Sequence, residues 1–361
     1  MTGTQATEKP VDQSEALANA KPEQDTTAGL LPGEHWTQAT EEPDQEDDDN
    51  DSAVSDNASS TASISSSILR YREINGRRYH SEQGDANYWV SNDDQSNEAL
   101  DINHHVLTMM YDEKLYKAPL KKDIQTAVDI GTGTGIWAMD FADEFPSAKV
   151  VGTDISPIQP SWLPPNLEFQ IDDCTQEWTF KENSIDYIHM RFLVGSIVDW
   201  PALFKQAYRC LKPGGYIESH EGSPSIGSDD NSVAEDSAMG QWGKLFMEGG
   251  RKLQRPFSVI EDDIQAKGMK EAGFTNIEED NIKVPIGGWP ADPKLKEAGQ
   301  YFQAAILQDV EGTLMFIANL LGWTKDEIHV FAAQYRREIR SKKHHGYFKA
   351  KVVWAQKPLA A

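Results

Sequence analysis

The sequence is organised around a short stretch that carries three glycines at alternate positions. A strand-like run at 127–130 leads into Gly131, Gly133 and Gly135, and a helix-like run follows at 136–145. Glycine permits a tight turn and a close approach to a ligand, because a Cβ atom would obstruct both. The free N–H groups at the start of a helix favour an anionic part of that ligand. The stretch therefore predicts a strand, a ligand-binding turn and a helix.

The same alternation continues along the chain. Strands are predicted at 127–130, 149–153, 167–171, 184–190 and 216–221. Their spacing indicates an α/β fold with a doubly wound, mostly parallel sheet and right-handed crossovers. Ligands of such sheets bind at the carboxyl ends of the strands, where this sequence places Gly131, Asp154, Asp173 and Arg191.

The first part of the chain has a different composition. Residues 1–67 hold 15 acidic and 2 basic residues, more than half of the net charge of −24, and Trp36 is their one Phe, Trp or Tyr. Such a segment buries too little apolar area to offset its loss of entropy, so it is predicted to be disordered. Both a solubilising tail and a tail that binds partners or is phosphorylated fit it. The acidic balance disfavours a direct nucleic-acid partner.

Cysteine content and hydropathy bound the compartment. Cys174 and Cys210 are too few for a disulfide framework and suit a reducing environment. We expect neither a signal peptide nor a membrane-spanning segment, since no apolar run approaches the required length of about 18 residues. No metal site is expected either, because the adjacent His104 and His105 point to different faces of a helix. A cytosolic or nuclear protein is predicted.

Two nucleotide-like ligands compete for the glycine turn. The frame Gly133-x-Gly135-x-x-Ala138 satisfies the dinucleotide fingerprint, which would indicate an NAD-linked oxidoreductase. However, Asp129 lies two residues before Gly131, and a carboxylate there would repel a pyrophosphate. It would favour a cationic ligand instead. S-adenosylmethionine carries an ammonium and a sulfonium and no phosphate, so it fits better, with Asp129 acting directly or through the turn.

Acidic residues end the next two strands. Asp154 lies 19 residues after Gly135, where a carboxylate can accept both hydroxyls of a ribose. Asp173 ends the third strand and can accept from the amine of an adenine, beside the backbone N–H of Cys174. Asp172 is the alternative to Asp173 at that position, because strand alternation decides which of them faces the ligand.

Five motifs carry a resemblance to a known family, at 129–138, 152–160, 171–173, 188–191 and 211–216. Together they resemble class I S-adenosylmethionine-dependent methyltransferases and, more narrowly, the fungal methyltransferases similar to LaeA, the regulator of secondary metabolism. The resemblance covers residues 70–358. It implies a Rossmann-like sheet of seven strands, of which the last runs antiparallel.

The resemblance also implies roles for single residues. Asp129 and the glycines would surround the amino-acid part of the cofactor, Asp154 would bind the ribose, and Asp173 with Cys174 would contact the adenine. Arg191 would meet the methionyl end or the substrate. Some relatives act in a nuclear complex with velvet-type regulators, and others methylate small metabolites.

The predicted division of the chain has five parts. They are a disordered acidic tail (1–67), a lead-in with a helical cap (68–125), a cofactor-binding core (126–225), late helices with a sixth strand and a substrate cover (226–345), and the final strand (346–358). Six apolar residues of the fourth part are candidates for a substrate pocket, although plain core packing also explains them: Trp242, Phe246, Met247, Trp289, Tyr301 and Phe302.

The predicted function is methyl transfer from S-adenosylmethionine to a small secondary metabolite or a regulatory protein. The alternatives are a subunit of a velvet-type complex that binds the cofactor but acts by interaction, and an NAD-dependent oxidoreductase. Methyl transfer needs a base only if the acceptor must first lose a proton. His189, His220 and Glu221 are candidates, but none pairs with a recognisable nucleophile, so no catalytic residue is assigned.

Overall fold

The computed structural model describes residues 29–38, 71–74, 76–80 and 88–359. A small hairpin, β1 (Arg72–Ile74) and β2 (Arg77–Tyr79), precedes the main sheet. The main sheet consists of β3 (Thr126–Ile130), β4 (Lys149–Asp154), β5 (Leu167–Ile171), β6 (Ile185–Arg191), β7 (Leu211–Ser228), β8 (Thr275–Pro285) and β9 (Gly346–Gln356).

The described helices cover both faces of the sheet and extend beyond it. None of them is long and apolar enough to cross a bilayer. They are α1 (Gly33–Gln38), α2 (Asp94–Met110), α3 (Ile136–Glu144), α4 (Trp200–Cys210), α5 (Ala238–Leu253), α6 (Ile264–Ala272), α7 (Pro293–Gln308), α8 (Val310–Leu320) and α9 (Lys325–Arg340).

The strand order of the main sheet is β5-β4-β3-β6-β7-β9-β8. Strands β3 to β7 pair in parallel, whereas β9 runs antiparallel to both β7 and β8. Strands β3 and β6 lie in the middle and are buried on both faces, which explains their nearly continuous apolar runs. The predicted doubly wound sheet of seven strands with an antiparallel last strand is confirmed.

The apolar periodicity of the sequence also predicts a helix at 97–116 and a helical segment at 294–321, and both predictions are wrong in their bounds. The single helix expected at 294–321 is two helices, α7 and α8, because the carboxylate of Asp309 caps α8 by accepting from Gly312 N at 2.9 Å. Asp309 is buried, and Arg77 neutralises it at 2.5 Å. The helix expected to reach residue 116 ends at Met110, and the next residues, Asp112 and Glu113, have left-handed φ angles of 58° and 60°.

The prediction of disorder over residues 1–67 is wrong for residues 29–38. This segment forms α1 and packs against α9, with Leu30 and Leu31 partly buried and Trp36 only 5% exposed. The prediction rests on the overall acidic composition of the tail, which does not reveal a local cluster of two leucines and one tryptophan. The rest of the predicted tail lies outside the described residues.

Candidate active site

The glycine turn connects β3 to α3 as predicted. Gly131, Gly133 and Gly135 have φ angles of 69°, 57° and 82°, in the left-handed region that favours glycine. A Cβ atom at Gly135 would clash with the ring of Phe169, whereas at Gly133 it would meet open space. Gly135 is therefore required for packing, and Gly133 exposes the main chain to a cavity.

This cavity lies at the carboxyl ends of β3 to β6, and we call it the strand-end cavity. Its empty volume, including its open mouth, is about 1050 Å³. Six predicted site residues line it together: Gly131, Gly133, Asp154, Asp173, Cys174 and Arg191. Two others, Asp129 and Gly135, are not part of its wall.

Asp154 lies at the end of β4 and joins the turn to the next loop. Its Oδ2 accepts from Gly133 N at 2.8 Å, and its Oδ1 accepts from Ser156 N at 3.0 Å. Burial raises its pKa to about 6. Each oxygen keeps a second lone pair, so the carboxylate can still accept from hydroxyl groups of a ligand in the strand-end cavity.

Asp172, Asp173 and Cys174 all line the cavity beyond β5. Oδ1 of Asp173 accepts from Thr175 N at 2.9 Å and from Thr175 Oγ1 at 2.7 Å, which forms a local turn. Because both aspartates line the cavity, the geometry does not decide which of Asp172 and Asp173 faces the ligand. Burial raises the pKa of Cys174 to about 12, so its thiol is neutral.

Asp129 lies behind the turn and is 3% exposed. Its Oδ2 accepts from Thr132 Oγ1 at 2.6 Å, and its Oδ1 accepts from His189 Nδ1 at 2.7 Å. Burial raises the pKa of Asp129 to about 6 and lowers that of His189 well below its ordinary value. These contacts connect the carboxylate of Asp129 to the turn and to β6.

Arg191 ends β6 and lines the same cavity. Its Nη1 donates to Nδ1 of His104 at 3.2 Å, and Nε2 of His104 contacts Asp140 at 2.9 Å. Burial lowers the pKa of Arg191, and the nearby carboxylate of Asp129 acts in the opposite direction. A guanidinium in this wall can bind a carboxylate.

Sequence reasoning missed a second group of wall residues. Four of them carry a buried polar atom that has no hydrogen-bond partner within the described ranges: His80 Nε2, Asn92 Oδ1, Asn97 Oδ1 and Ser196 Oγ. Buried polar groups normally have partners, so these atoms indicate a polar ligand. Except for Ser196, they come from the segment before β3, where no site residue is predicted from the sequence.

A second cavity adjoins the first, and we call it the apolar cavity. Its empty volume, including its mouth, is about 1250 Å³. Helices α2, α5, α7, α8 and α9 and strands β7 to β9 contribute to its wall. Of the six apolar candidates from the sequence, Trp242, Phe246 and Phe302 line it, whereas Met247, Trp289 and Tyr301 do not.

The two cavities share four wall residues: Tyr88, Leu100, Asn103 and Phe192. Phe192 has a φ of 55°, which is unusual for an aromatic residue and marks local strain. Buried Glu221 holds the following residues, because its two oxygens accept from Leu193 N at 3.1 Å and Val194 N at 3.0 Å. Glu221 therefore fixes the loop that carries the shared wall.

Comparisons with known proteins agree with this geometry. A family profile described as a methyltransferase domain matches residues 102–279. The methyltransferase pytC of Aspergillus terreus is 38% identical over 322 residues, which are 89% of this chain and 98% of that protein. The chain belongs to this methyltransferase family.

Further relatives of this methyltransferase include the secondary metabolism regulator laeA of Aspergillus flavus. It is 31% identical over 307 residues, which are 84% of this chain and 82% of that protein. Among solved structures, Haemonchus contortus phosphoethanolamine N-methyltransferase 2 in complex with S-adenosyl-L-methionine has a TM-score of 0.42 at 22% identity, covering 73% of this chain and 52% of that one.

The methyltransferase uses S-adenosylmethionine as its methyl donor, and the strand-end cavity has suitable groups for it. Carboxylates, an arginine and unpartnered buried polar atoms share one wall. The three candidate bases lie elsewhere: within the described part of the chain, neither cavity wall includes His189, His220 or Glu221. His220 instead contacts the buried carboxylate of Glu218 at 2.6 Å.

Proposed function

We propose that this methyltransferase holds S-adenosylmethionine in the strand-end cavity and a small, largely apolar acceptor in the apolar cavity. The observation that carries the proposal is the shared wall of Tyr88, Leu100, Asn103 and Phe192. Methyl transfer needs donor and acceptor in contact, and only a common wall allows two separate cavities to provide that.

Individual residues have distinct roles in this proposal. Asp154 accepts from the ribose, the region of Asp172, Asp173 and Cys174 contacts the adenine, and Arg191 pairs with the carboxylate of the methionyl end. Asp129 supports the turn from behind. The bound cofactor supplies a methyl group that its sulfonium already activates, so the protein contributes position and exclusion of water.

The acceptor class follows from the wall of the apolar cavity. Aromatic and aliphatic side chains dominate it, and they include Trp242, Phe246, Phe257 and Phe302. A small apolar metabolite fits such a wall, and pytC, a named methyltransferase, is 38% identical over 89% of this chain. Two free cysteines suit action in the cytosol or nucleus.

A purified-protein assay with methyl-labelled cofactor and a panel of small apolar phenols and amines tests the proposal. Ala305 lines the apolar cavity and is 7% exposed, so the added ring of Ala305→Phe should obstruct the acceptor and abolish methylation while leaving S-adenosylhomocysteine binding unchanged. Ala291→Phe, at an exposed loop position, is the matched control. Full activity of Ala305→Phe would refute this location of the acceptor.

A regulatory role is the second candidate, because laeA is named a regulator and is 31% identical. In that case the acceptor is a protein, or the chain acts as a subunit beside velvet-type regulators. Ala305→Phe distinguishes a small-molecule enzyme from a regulator that acts by interaction. A regulator that acts by interaction would keep its partners in a pull-down and its effect on metabolite production after Ala305→Phe, whereas a small-molecule enzyme would lose its product.

A further inference from the structure

The segment 29–38, which we call the N-terminal clasp, binds specifically to α5. Leu31 N donates to Oε1 of Gln241 at 2.8 Å, and Nε2 of Gln241 donates to Gly29 O at 3.2 Å. The same nitrogen also donates to Glu235 O at 2.7 Å. Gln241 is only 2% exposed, so the clasp satisfies a buried amide that would otherwise lack two partners.

The clasp also contacts the beginning of α9. Gly33 lies so close to this turn that a Cβ atom there would be 2.7 Å from the carboxyl group of Glu327 and 3.1 Å from the ring of Trp323. Glu327 forms the capping box of α9 with Thr324. The close approach shows that the clasp occupies a fitted groove between α5 and α9.

Trp36 connects the clasp to a stack of aromatic rings. Its ring meets Phe331 edge-on, with the centroids 4.8 Å apart. Phe331 is nearly parallel to Trp242 and Tyr335, at interplanar angles of 12° and 11°. Trp242 and Tyr335 are themselves stacked at 4.0 Å, and both line the apolar cavity. A single ring therefore separates Trp36 from the cavity wall.

We propose that docking of the N-terminal clasp sets the aromatic wall of the apolar cavity, with Trp36 as a positioning residue for the methyl acceptor. Packed interiors transmit displacement, because they contain little free volume. Loss of Trp36 lets Phe331 move and thereby releases Trp242 and Tyr335. The inference rests on the proposed function of the apolar cavity, and it assigns a role in catalysis to part of the acidic tail.

Binding of 2-naphthol, an apolar aromatic probe, to the full chain tests this coupling. Trp36→Ala should weaken probe binding about tenfold, a typical size for coupling between sites. Trp36→Phe should restore most of the affinity, and S-adenosylhomocysteine binding should stay the same in both variants. Trp162→Ala is the matched control, since Trp162 is 82% exposed. Wild-type probe affinity in Trp36→Ala would overturn the inference.

Hydrogen exchange of the unaltered chain gives an independent test, which does not depend on the folding of a variant. Coupling is reciprocal, so saturation with 2-naphthol should slow exchange of the backbone amides at 29–38. Unchanged exchange there would overturn the inference. Ala305→Phe distinguishes failure of this inference from failure of the proposed function. If Ala305→Phe binds the probe as tightly as the wild type does, the proposed location of the acceptor is wrong. If Ala305→Phe loses probe affinity, the location holds, and the two tests above decide the coupling between clasp and cavity.

Discussion

The two cavities of this methyltransferase are built in different ways. The strand-end cavity takes its turn, its carboxylates and its arginine from the ends of four adjacent parallel strands. The apolar cavity takes its wall from side chains of five helices and three strands that are far apart in sequence. The first thus depends on main-chain geometry at a few positions, and the second depends on how the helices pack. Substitutions should therefore affect the two cavities separately.

Gly135→Ala should have the largest effect, and it should act on the fold. The variant combines a left-handed φ of 82° with a clash against the ring of Phe169. We expect a loss of about 2–4 kcal/mol in the free energy of unfolding, measured by urea denaturation of the cofactor-free protein.

Gly133→Ala is the matched control for that variant. Its φ of 57° carries similar strain, but its Cβ would meet open space in the strand-end cavity. We expect a smaller loss of stability, about 1–2 kcal/mol from the left-handed backbone alone, together with weaker cofactor binding. Equal destabilisation by both substitutions would show that contact with Phe169 contributes nothing to the turn.

Asp154→Ala should produce the next largest effect, on ligand affinity. Removing a carboxylate that accepts from the ribose should weaken S-adenosylhomocysteine binding by about 1–3 kcal/mol in isothermal titration calorimetry. Binding of 2-naphthol in the apolar cavity should not change. If a folded Asp154→Ala variant has an unchanged dissociation constant for S-adenosylhomocysteine, Asp154 does not bind the ribose.

Cofactor affinity should also depend on pH through the same residue. The pKa of Asp154 is raised to about 6, so the carboxylate becomes protonated below that pH and loses acceptor capacity. We expect affinity to fall by up to about tenfold per pH unit below pH 6, whereas Asp154→Asn should flatten this dependence. A profile that is the same in both proteins would assign the titration to another group.

The pH dependence of folding has the opposite sign at this residue. Its folded pKa of about 6 exceeds the ordinary 3.8, so folding takes up a proton between these values. The contribution of Asp154 to stability is complete below pH 4 and is lost as the pH rises through 6. Through Asp154, acid should therefore stabilise the fold of the cofactor-free protein but weaken the binding of the cofactor.

Sequence reasoning reached the strand-end cavity because its determinants are local. The three glycines follow β3, whereas Asp154 and Arg191 are the last residues of β4 and β6. Parallel strands place their carboxyl ends together. The apolar cavity and the N-terminal clasp were not predictable in this way. Trp36 depends on contacts with residues about 300 positions away, and no local pattern distinguishes ring packing around a cavity from packing in a closed core.

Asp129→Asn should have the smallest effect and decides how the first acid of the motif acts. An amide has nearly the same shape, and its oxygen can still accept from either Thr132 or His189, which now share the carboxylate at 2.6 and 2.7 Å. If Asp129 acts through the turn, S-adenosylhomocysteine affinity should fall by at most about 1 kcal/mol. It should also depend little on salt, because no direct charge pair with the ligand is lost. If the substitution instead weakens S-adenosylhomocysteine binding as much as Asp154→Ala does, and if salt weakens this binding to the wild-type protein, Asp129 contacts the ammonium group of the ligand directly. The strand-end cavity would then have to open further behind Thr132 when ligand binds, and its contrast with the packing-dependent apolar cavity would be weaker.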